Sequence, residues 1–318
     1  MRKHRTNICV LGATGFVGQH LVENLLAQGH NVSILSRISA KDARVRFSSS
    51  DVRWVVGDWR QSESLKEAMK DAEICFHLIS TTLPRSSNED PVYDVTSNVC
   101  GSIEMLQTAV NLGCRKVVFI SSGGTIYGIP QSLPITELHP LEPNSSYGIG
   151  KLAIEKYLRL FSTLYGLDYG IVRLANPYGE GQQLDRSQGA VSVFLDRTLS
   201  GKAIEIWGDG SVVRDYIYIT DAVDGITKVA SYAGVEKIFN IGSGSGLSLI
   251  YILGEIEKLL NKKANVKFLA ARPFDVPSNV LSIDRAKALL HFRPTTSFNQ
   301  GLDLTASWQK QVLLESKT

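Results

Sequence analysis

Six short apolar runs punctuate the first half of the chain, and segments with a helical spacing of apolar residues separate them. The runs are NICVLG, NVSILS, VRWVVG, AEICFHLI, KVVFISS and LDYGIVRL. Because they are apolar without alternation, they predict parallel strands that helices cover on both faces. The helical segments are GFVGQHLVENLLAQG, ESLKEAMKDA, VTSNVCGSIEMLQTAVNLG and GKLAIEKYLRLFSTLYG. This alternation predicts an α/β fold with a doubly wound parallel sheet and right-handed crossovers.

The regular alternation ends at about residue 176. Beyond it the predicted loops lengthen, as in NPYGEGQQ and WGDGSVVRD, and the strands and helices become irregularly spaced. We therefore expect a nucleotide-binding domain over 1–175 and a smaller C-terminal α/β lobe that binds substrate over 176–318. Neither a linker nor a low-complexity run separates the two parts, so the chain is free to cross between them.

Composition and charge exclude several classes of protein. The chain has 318 residues, of which 43% are hydrophobic and 20% charged, and its formal net charge is +3. These values are ordinary for a globular enzyme and too weakly basic to indicate a nucleic-acid partner. The first apolar run is too short for a signal peptide or a membrane span. The four cysteines stand singly in apolar surroundings, which predicts buried thiols in a reducing cytoplasm and no structural metal site.

A glycine-rich turn follows the first predicted strand. In GATGFVG, Gly12, Gly15 and Gly18 stand between that strand and the first predicted helix. Gly12 permits a tight turn, Gly15 lets the backbone approach a pyrophosphate, and Gly18 lets the helix lie close to the strand. Free N–H groups at the helix N-terminus then bind the phosphates. The turn predicts a Rossmann-type dinucleotide site that includes Thr14 and Phe16.

The ends of the second and third strands bear on the choice of cofactor. An NAD site usually has an acid at the end of the second strand, whereas this chain has Ser36 and Arg37. Arg37 can pair with the 2′-phosphate of NADP or stack on adenine, or it can be a solvated side chain beside the adenine of NAD. Asp58 can receive the adenine amino group or can serve only as a turn residue, and we include its neighbour Trp59. The cofactor is therefore predicted to be NAD or NADP, and Arg37 favours NADP.

Tyr147 and Lys151 stand four residues apart, on one face of a predicted helix. With eleven tyrosines in the chain, one chance Tyr-x-x-x-Lys match is unsurprising, but this one follows the fifth strand downstream of the glycine turn. A phenol is a poor base at neutral pH, and a nearby ammonium and a nicotinium charge favour its ionised form. Lys151 also holds the nicotinamide ribose in this arrangement. Tyr147 can then move a proton on or off a substrate hydroxyl while hydride passes to or from the cofactor.

These motifs, in this order, resemble those of the extended short-chain dehydrogenase/reductases, specifically the nucleotide-sugar epimerase/dehydratase branch. The resemblance also includes SSGGTIYG, RLANPYG, IWGDGSVVRDYIYITDAV and ARPFDV, and it covers nearly the whole chain. It implies that the cofactor cleft is lined by Leu78, Ile79 and Ser80. It also implies that the nucleotide-sugar substrate is bound by Asn176, Arg214, Arg272 and Asp275. A salt bridge from Arg214 to Asp215 or Asp221 is the alternative, and Phe274 stands where relatives often have glycine.

The reactions of this family begin with oxidation or reduction at a sugar carbon. Dehydratases have an Asp–Glu pair where this chain has Gly124 and Thr125, and decarboxylases usually have Glu at the second of these positions. The resemblance therefore favours a nucleotide-hexose 4-epimerase of UDP-hexose type, in carbohydrate metabolism or polysaccharide biosynthesis. The alternative is an NADPH-dependent 4-ketoreductase of a 4-keto-6-deoxy sugar, which Arg37 favours. A third interpretation is an NAD(P)-binding protein without activity, against which the intact Tyr147 and Lys151 argue.

Two features implied by the resemblance concern the sugar and the assembly. Many relatives polarise the C4 oxygen with a hydroxyl at the position of Gly123, so here we expect Ser122 or Thr125 to act instead, and Ser121 to face the core. Relatives form homodimers through two helices, which correspond to about 93–112 and 147–165. The alternative is that the apolar faces of these helices only cover the sheet.

Overall fold

The computed structural model describes residues 5–182, 189–271 and 276–315, except for the side chain of residue 85. The chain forms two compact units. The first contains Met1–Gly128, Pro140–Arg173 and Val223–Phe239, and the second contains Ile129–His139, Leu174–Ala222 and Asn240–Thr318. Each unit is thus assembled from three separated stretches of the sequence. Arg272, Phe274 and Asp275 lie outside the described residues.

The strands and helices follow one another in the order that the sequence predicts for the first half. The strands are β1 Asn7–Leu11, β2 Asn31–Ser36, β3 Val52–Val56, β4 Ile74–His77, β5 Lys116–Ser122, β6 Asp168–Leu174, β7 Asn176–Tyr178, β8 Ile204–Trp207, β9 Val213–Tyr218, β10 Ile238–Ile241, β11 Gly246–Ser248, β12 Val266–Leu269 and β13 Ser278–Asn279. The helices are α1 Phe16–Ala27, α2 Ser62–Met69, α3 Pro84–Glu89, α4 Pro91–Asp94, α5 Gly101–Asn111, α6 Ser146–Tyr165, α7 Ala190–Ser200, α8 Ile219–Ser231, α9 Leu249–Leu260, α10 Asp284–Leu290 and α11 Phe298–Glu315. A 3₁₀ turn occupies Ser49–Asp51, and a π-helical segment, Val95–Cys100, joins α4 to α5.

The central sheet has seven strands in the order β10-β6-β5-β4-β1-β2-β3. β1 pairs in parallel with both β2 and β4, and β3 and β5 extend the sheet in parallel on either side. The order therefore reverses between β1 and β4, which is where doubly wound sheets bind their ligands, at the carboxyl ends of the strands. The predicted Rossmann-type sheet is confirmed.

The predicted boundaries hold best for the strands of the first unit. β2 and β5 begin and end at the predicted residues, because turns and polar residues delimit their apolar runs. Helix α6 begins at Ser146, four residues before the predicted start, because the Ser145 side chain accepts a hydrogen bond from the Gly148 N–H and caps the helix. The segment predicted as one helix over 95–113 is instead a π-helical turn followed by α5.

The core of the first unit lies between the sheet and helices α2, α5 and α6. It includes three of the four cysteines, Cys9, Cys75 and Cys114, and burial raises the pKa of the Cys114 thiol to about 11. The prediction that all four thiols are buried is wrong for Cys100, which is exposed where the π-helical segment meets α5. Its neighbour Gly101 instead faces inward, against the ring of Trp59.

The second unit contains two smaller sheets. One is built around β9, which pairs antiparallel with β11 and in parallel with β7 and β13. The other consists of β8 and β12, paired in parallel. No helix within the described ranges is both long and apolar enough to span a membrane.

Candidate active site

The glycine turn joins β1 to α1 with almost no room for side chains. Gly12 has a φ of +94°, and a Cβ at Gly18 would lie 2.1 Å from the Gly12 carbonyl oxygen. A Cβ at Gly12 would lie 3.1 Å from the backbone of Leu78, the residue that follows β4. Gly15 begins α1 as its N-cap, and no side chain of the described residues caps this helix. The N–H groups of the first turn therefore face a backbone-lined cradle suited to an anion.

The other residues of the turn and of the strand after it surround this cradle. Gln19 Nε2 donates a hydrogen bond to the Thr14 carbonyl oxygen over 3.0 Å, and the Phe16 ring packs edge-on against His20. The Leu78 N–H donates to the Leu11 carbonyl oxygen over 2.9 Å, so the segment Leu78–Ser80 continues beside the turn. The structure thus brings the predicted cofactor residues of β1 and β4 together.

Ser36, Arg37 and Asp58 lie at the adjacent ends of β2 and β3. Arg60 donates from its guanidinium to both Asp58 oxygens, over 3.1 Å and 2.9 Å, and from its backbone N–H over 2.9 Å. These hydrogen bonds, and to a smaller extent the charge of Arg37, lower the pKa of Asp58 to about 2. Arg37 itself is exposed, whereas Ser36 is buried and accepts a hydrogen bond from the Ile38 N–H. Asp58 therefore takes part in the turn after β3 and keeps its charge at neutral pH, and its contact with the adenine amino group stays a prediction.

Trp59 and His77 form an aromatic stack beneath the site. The His77 ring centroid lies 5.5 Å from that of Trp59 and 5.3 Å from that of Phe119. The Ser102 hydroxyl donates to the Asn98 carbonyl oxygen over 2.6 Å, so the contact of 2.8 Å between His77 Nε2 and Ser102 Oγ requires the proton on Nε2. Burial, and next the charge of Lys151, lower the pKa of His77 to about 3. The Trp59 indole, predicted at the cofactor site, is therefore part of the core.

Replacing His77 by glutamine should make stability less dependent on pH. The folded protein keeps His77 neutral, whereas the unfolded chain takes up a proton below the ordinary pKa of 6.5. The contribution of neutral His77 to the free energy of unfolding is therefore fully present above pH 6.5 and decreases as the pH drops toward 3. Between pH 7 and pH 5 the wild type should lose about 2 kcal/mol relative to His77→Gln. Urea unfolding at both pH values measures this, and parallel losses in the two proteins would contradict it.

The catalytic pair predicted from the sequence lies on one face of α6. Lys151 Nζ lies 5.6 Å from the Tyr147 ring centroid and 4.7 Å from that of Phe119, and it donates to the Ile120 carbonyl oxygen over 3.0 Å. The Ser80 side chain acts to lower the pKa of the Tyr147 hydroxyl, and Ser80 Oγ donates a hydrogen bond to the Thr82 carbonyl oxygen over 3.0 Å. The pair therefore connects the end of β5 with the segment that follows β4.

Burial dominates the acid–base properties of both side chains. It raises the pKa of Tyr147 to about 12, which the Ser80 side chain opposes and the charge of Asp94 reinforces. It lowers the pKa of Lys151 to about 8, although the carboxylates of Asp94 and Glu155 act to raise it. At neutral pH Lys151 is thus an ammonium and Tyr147 a neutral phenol, so ionisation of the phenol requires positive charge beside it.

The hydroxyls of Ser122 and Thr125, at the end of β5 and just after it, have different surroundings. Ser122 is half-buried at the end of the strand, and Gly124 has open space around its Cα, with the Ser122 hydroxyl oxygen 3.9 Å from the position of an added Cβ. Thr125 Oγ1 is buried and has no hydrogen-bond partner among the described residues. Such an orphaned hydroxyl is costly unless a ligand or water satisfies it. Ser121 faces the core as predicted, and is 3% exposed.

A buried ion pair that the sequence analysis missed lies next to Ser121. Arg173 Nη2 and Glu155 Oε2 are 2.8 Å apart, with side chains only 2% and 3% exposed. Ser121 Oγ also donates to Glu155, over 2.6 Å, and Arg173 Nη1 donates to the Tyr127 hydroxyl over 3.0 Å. These bonds join β5, β6 and α6, and so fix the helix that carries Tyr147 and Lys151. The only signal in the sequence was a charged residue inside each of two apolar segments.

The first turn of α6 is held by side chains that the sequence analysis also missed. Ser87 Oγ accepts a hydrogen bond from the Tyr147 N–H over 3.0 Å, and Asn88 Oδ1 accepts one from the Ser146 N–H over 2.8 Å. Both acceptors belong to α3, a helix that the sequence analysis did not predict. Together with the Ser145 cap they satisfy the N–H groups that begin the helix.

Asn176 and Arg214 lie together in the second unit. Asn176 Nδ2 donates to the Asp215 carbonyl oxygen over 2.9 Å, and Arg214 Nη1 donates to the Val213 carbonyl oxygen over 2.8 Å. The two acids considered as partners of Arg214 accept other bonds, Asp215 from Ser243, Gly244 and Leu281, and Asp221 from Thr295 and Thr296. Asn176 and Arg214 are thus brought together around β9, whereas Arg272 and Asp275 lie outside the described residues.

The glycine cradle at the reversal point of a doubly wound sheet, with a Tyr-x-x-x-Lys pair after its fifth strand, defines a dinucleotide-binding protein of the short-chain dehydrogenase/reductase type. Residues 8–242 match the sequence profile of the NAD dependent epimerase/dehydratase family. The chain belongs to this family. The resemblance predicted from the sequence motifs is confirmed.

Individual relatives cover nearly the whole chain. A UDP-glucose 4-epimerase of Mycolicibacterium smegmatis is 34% identical over 94% of this chain and 97% of its own. A dTDP-4-dehydro-6-deoxyglucose reductase of Escherichia coli is 32% identical over 95% and 97%. The crystal structure of a Thermus thermophilus UDP-glucose 4-epimerase in complex with NAD is 29% identical, with a TM-score of 0.86 and coverage of 96% of this chain and 99% of that one.

Proposed function

We propose that the protein is a nucleotide-sugar 4-epimerase of UDP-hexose type, which oxidises C4 of the sugar transiently and reduces it again. The observation that carries this proposal is the meeting of Tyr147, Lys151 and Ser80 at the carboxyl ends of β4 and β5, in a fold shared with UDP-glucose 4-epimerases. The dehydratase reaction is disfavoured because Gly124 and Thr125 replace the acid–base pair that it requires.

The glycine cradle fits a dinucleotide. A Cβ at Gly18 would overlap the Gly12 carbonyl oxygen, and the uncapped first turn of α1 offers N–H groups to a pyrophosphate. Gly12, Thr14, Gly15 and Phe16 would hold the phosphates, and the ends of β2 and β3 would hold the adenosine. When bound, the nicotinamide supplies the oxidising power that removes hydride from C4.

The side chains of this chain supply the proton transfer. Tyr147 accepts the proton of the C4 hydroxyl as hydride leaves that carbon, and returns it when the ketose is reduced from its other face. The Lys151 ammonium favours the ionised phenol and would bind the nicotinamide ribose. The Ser80 side chain acts in the same direction, because it lowers the pKa of the phenol. Inversion further requires that the ketose turn over within the site before its reduction.

Of the two hydroxyls considered for the sugar C4 oxygen, we favour Thr125 because its hydroxyl is buried and lacks a protein partner among the described residues. Thr125→Val should lower kcat by roughly 10²-fold, as loss of one preorganised donor does. Ser122→Ala is the matched comparison and should have a smaller effect. Steady-state kinetics of both variants test the assignment, which fails if neither change slows turnover.

The rival function is an NADPH-dependent 4-ketoreductase. It is favoured by the exposed Arg37 and by the similarity to the Escherichia coli reductase. A panel of sugar nucleotides, followed by chromatography and by absorbance at the nicotinamide band, separates the two functions. Interconversion of two sugars without net cofactor consumption supports the epimerase. Stoichiometric loss of NADPH supports the reductase, and turnover of no sugar by the intact protein would contradict both.

The cofactor could be NADP as well as NAD. Arg37 is exposed beside Asp58, whose charge Arg60 already neutralises, so Arg37 can offer its guanidinium to a 2′-phosphate. Titration of the protein with each cofactor distinguishes them. Much tighter binding of NAD, together with an Arg37→Ala variant that binds NADP unchanged, would overturn the preference for NADP.

The remaining proposals concern the substrate and the assembly. Asn176, Arg214 and Arg272 would bind the nucleotide diphosphate, because a guanidinium fork matches phosphate oxygens, and Asp275 would bind the nucleotide ribose. Two copies would pair through α5 and α6 and the residues before α5. The large apolar side chains exposed within 93–112 and 147–165 include Val95, Leu112, Ile149, Leu160 and Leu164. A mass measurement in solution that gives a monomer would refute the homodimer.

A further inference from the structure

Asp94 is a buried carboxylate close to the proposed catalytic pair, and the mechanism above does not use it. It is 2% exposed and ends α4, where the chain enters the π-helical segment. Such π-helical turns occur frequently at functional sites. Asp94 therefore lies at an irregular point of the fold rather than inside a regular helix.

Three separate segments donate hydrogen bonds to this carboxylate. The Thr82 hydroxyl, from the segment that follows Ser80, donates to Oδ1. Asn98 Nδ2, from the π-helical segment, donates to the same oxygen over 2.9 Å. Ser146 Oγ, from the first turn of α6, donates to Oδ2 over 2.7 Å. The carboxylate thus connects Ser146, the residue before Tyr147, with the loop that contains Ser80 and Thr82.

The charge of Asp94 differs from that of the other nearby carboxylate. Glu155 is neutralised by its ion pair with Arg173. The hydrogen bonds to Asp94 come from two hydroxyls and an amide, all neutral, so they stabilise its charge without cancelling it. Asp94 Oδ2 lies 3.7 Å from the position of an added Cβ at Gly150, the residue before Lys151, and its charge acts to raise the pKa of both Lys151 and Tyr147.

We propose that Asp94 is a positioning residue for the proton transfer: its carboxylate ties the first turn of α6 to the Thr82 loop and supplies the negative charge that keeps Lys151 an ammonium. This inference rests on the proposed function. It adds a fixed anion to the Tyr147–Lys151 pair, so the state of the lysine depends on a residue that contacts neither sugar nor cofactor.

The surroundings of Lys151 determine the expected direction. Burial lowers its pKa to about 8, and Asp94 opposes this effect. Removing the charge of Asp94 should therefore lower the pKa of Lys151 further, and should lower that of Tyr147 as well. The groups that face Lys151 are His77 from β4, the Phe119 ring and the Ile120 carbonyl from β5, Asp94 from α4, and Tyr147 and Glu155 from α6.

The test compares Ser146→Ala with the double variant Ser146→Ala/Asp94→Asn. Ser146→Ala removes one hydrogen bond to Asp94 and keeps the charge of its carboxylate. In the double variant the Ser146 hydroxyl is absent, so the amide N–H group introduced at position 94 does not face another donor. Lysines labelled with ¹³C at Cε report the titration of Lys151 in the full chain, with and without NAD, and Lys151→Arg identifies the resonance. The double variant should titrate lower than Ser146→Ala by on the order of one pH unit.

Activity and folding provide separate readouts. In the proposed epimerase reaction, the whole profile of kcat against pH should shift to lower pH in the double variant. In Ser146→Ala the profile should stay where it is in the wild type. Asp224→Asn, an exposed carboxylate paired with Lys228 in the same unit, controls for the loss of an acid. Equal Lys151 titration midpoints in the two folded variants would overturn the inference. Sugar turnover absent from the wild type would refute the proposed function and leave the titration result standing.

If the double variant does not fold, Thr82→Val, which removes a different hydrogen bond, is the second test. It keeps the charge, so Lys151 should titrate as in the wild type while the thermal unfolding temperature falls. A lower titration midpoint for Thr82→Val would show that the hydrogen-bond geometry, and not the charge, controls the lysine, and would overturn the inference.

Discussion

Replacing Tyr147 by phenylalanine is expected to lower kcat for sugar interconversion by roughly 10²–10⁴-fold, the usual contribution of a positioned acid–base group. The change removes the phenol hydroxyl and leaves the ring beside Lys151. Because the glycine cradle is untouched, binding of NAD should change by only a few-fold. Steady-state kinetics and a cofactor titration on the same preparation measure the two quantities.

Tyr165→Phe is the matched control for this prediction. Tyr165 ends the same helix, is 58% exposed and packs only against Phe161 among the described ring contacts. Its variant should turn over at the wild-type rate. Wild-type turnover in Tyr147→Phe would show that another group moves the proton, and the proposed mechanism would be wrong although the fold and the family would stand.

Much of the first unit was predictable from the sequence because its determinants are local. The apolar runs of β2 and β5 end at polar residues, so their limits follow from the pattern. The glycine turn must follow β1, and Tyr147 and Lys151 must share a face of α6, whatever the rest of the chain does. Ser121, which was expected to face the core or to cap the strand, is buried at the end of β5.

The parts that could not be predicted depend on residues far apart in the sequence. Residues 129–139 belong to the second unit because Ile135 bridges to Leu281, and Asn240 donates to the Ile135 carbonyl oxygen over 2.9 Å. The sequence of residues 129–139 alone does not indicate that they contact residues more than one hundred positions away. Likewise, the segment after Asp94 has the sequence pattern of an ordinary helix. The three groups that donate hydrogen bonds to the Asp94 carboxylate come from three different parts of the chain.

Replacing Glu155 by glutamine is expected to lower the free energy of unfolding by about 3–5 kcal/mol, because it leaves a buried guanidinium without its counter-charge. Glutamine has nearly the same shape, so the loss measures charge rather than packing. Arg173 is 1% exposed and cannot turn to water without opening the core. A loss of this size is a large part of the total stability of a typical domain. Urea unfolding measures it.

The exposed pair of Arg53 and Glu67 provides the control. Their charged atoms are 3.0 Å apart, but the side chains are 40% and 59% exposed, so Glu67→Gln should cost less than about 1 kcal/mol. Equal losses in the two variants would mean that burial of the Arg173 pair contributes nothing. A large loss in Glu155→Gln alone would mean that the buried guanidinium needs its counter-charge, at the point where Ser121 joins the helix carrying Tyr147 and Lys151 to β5.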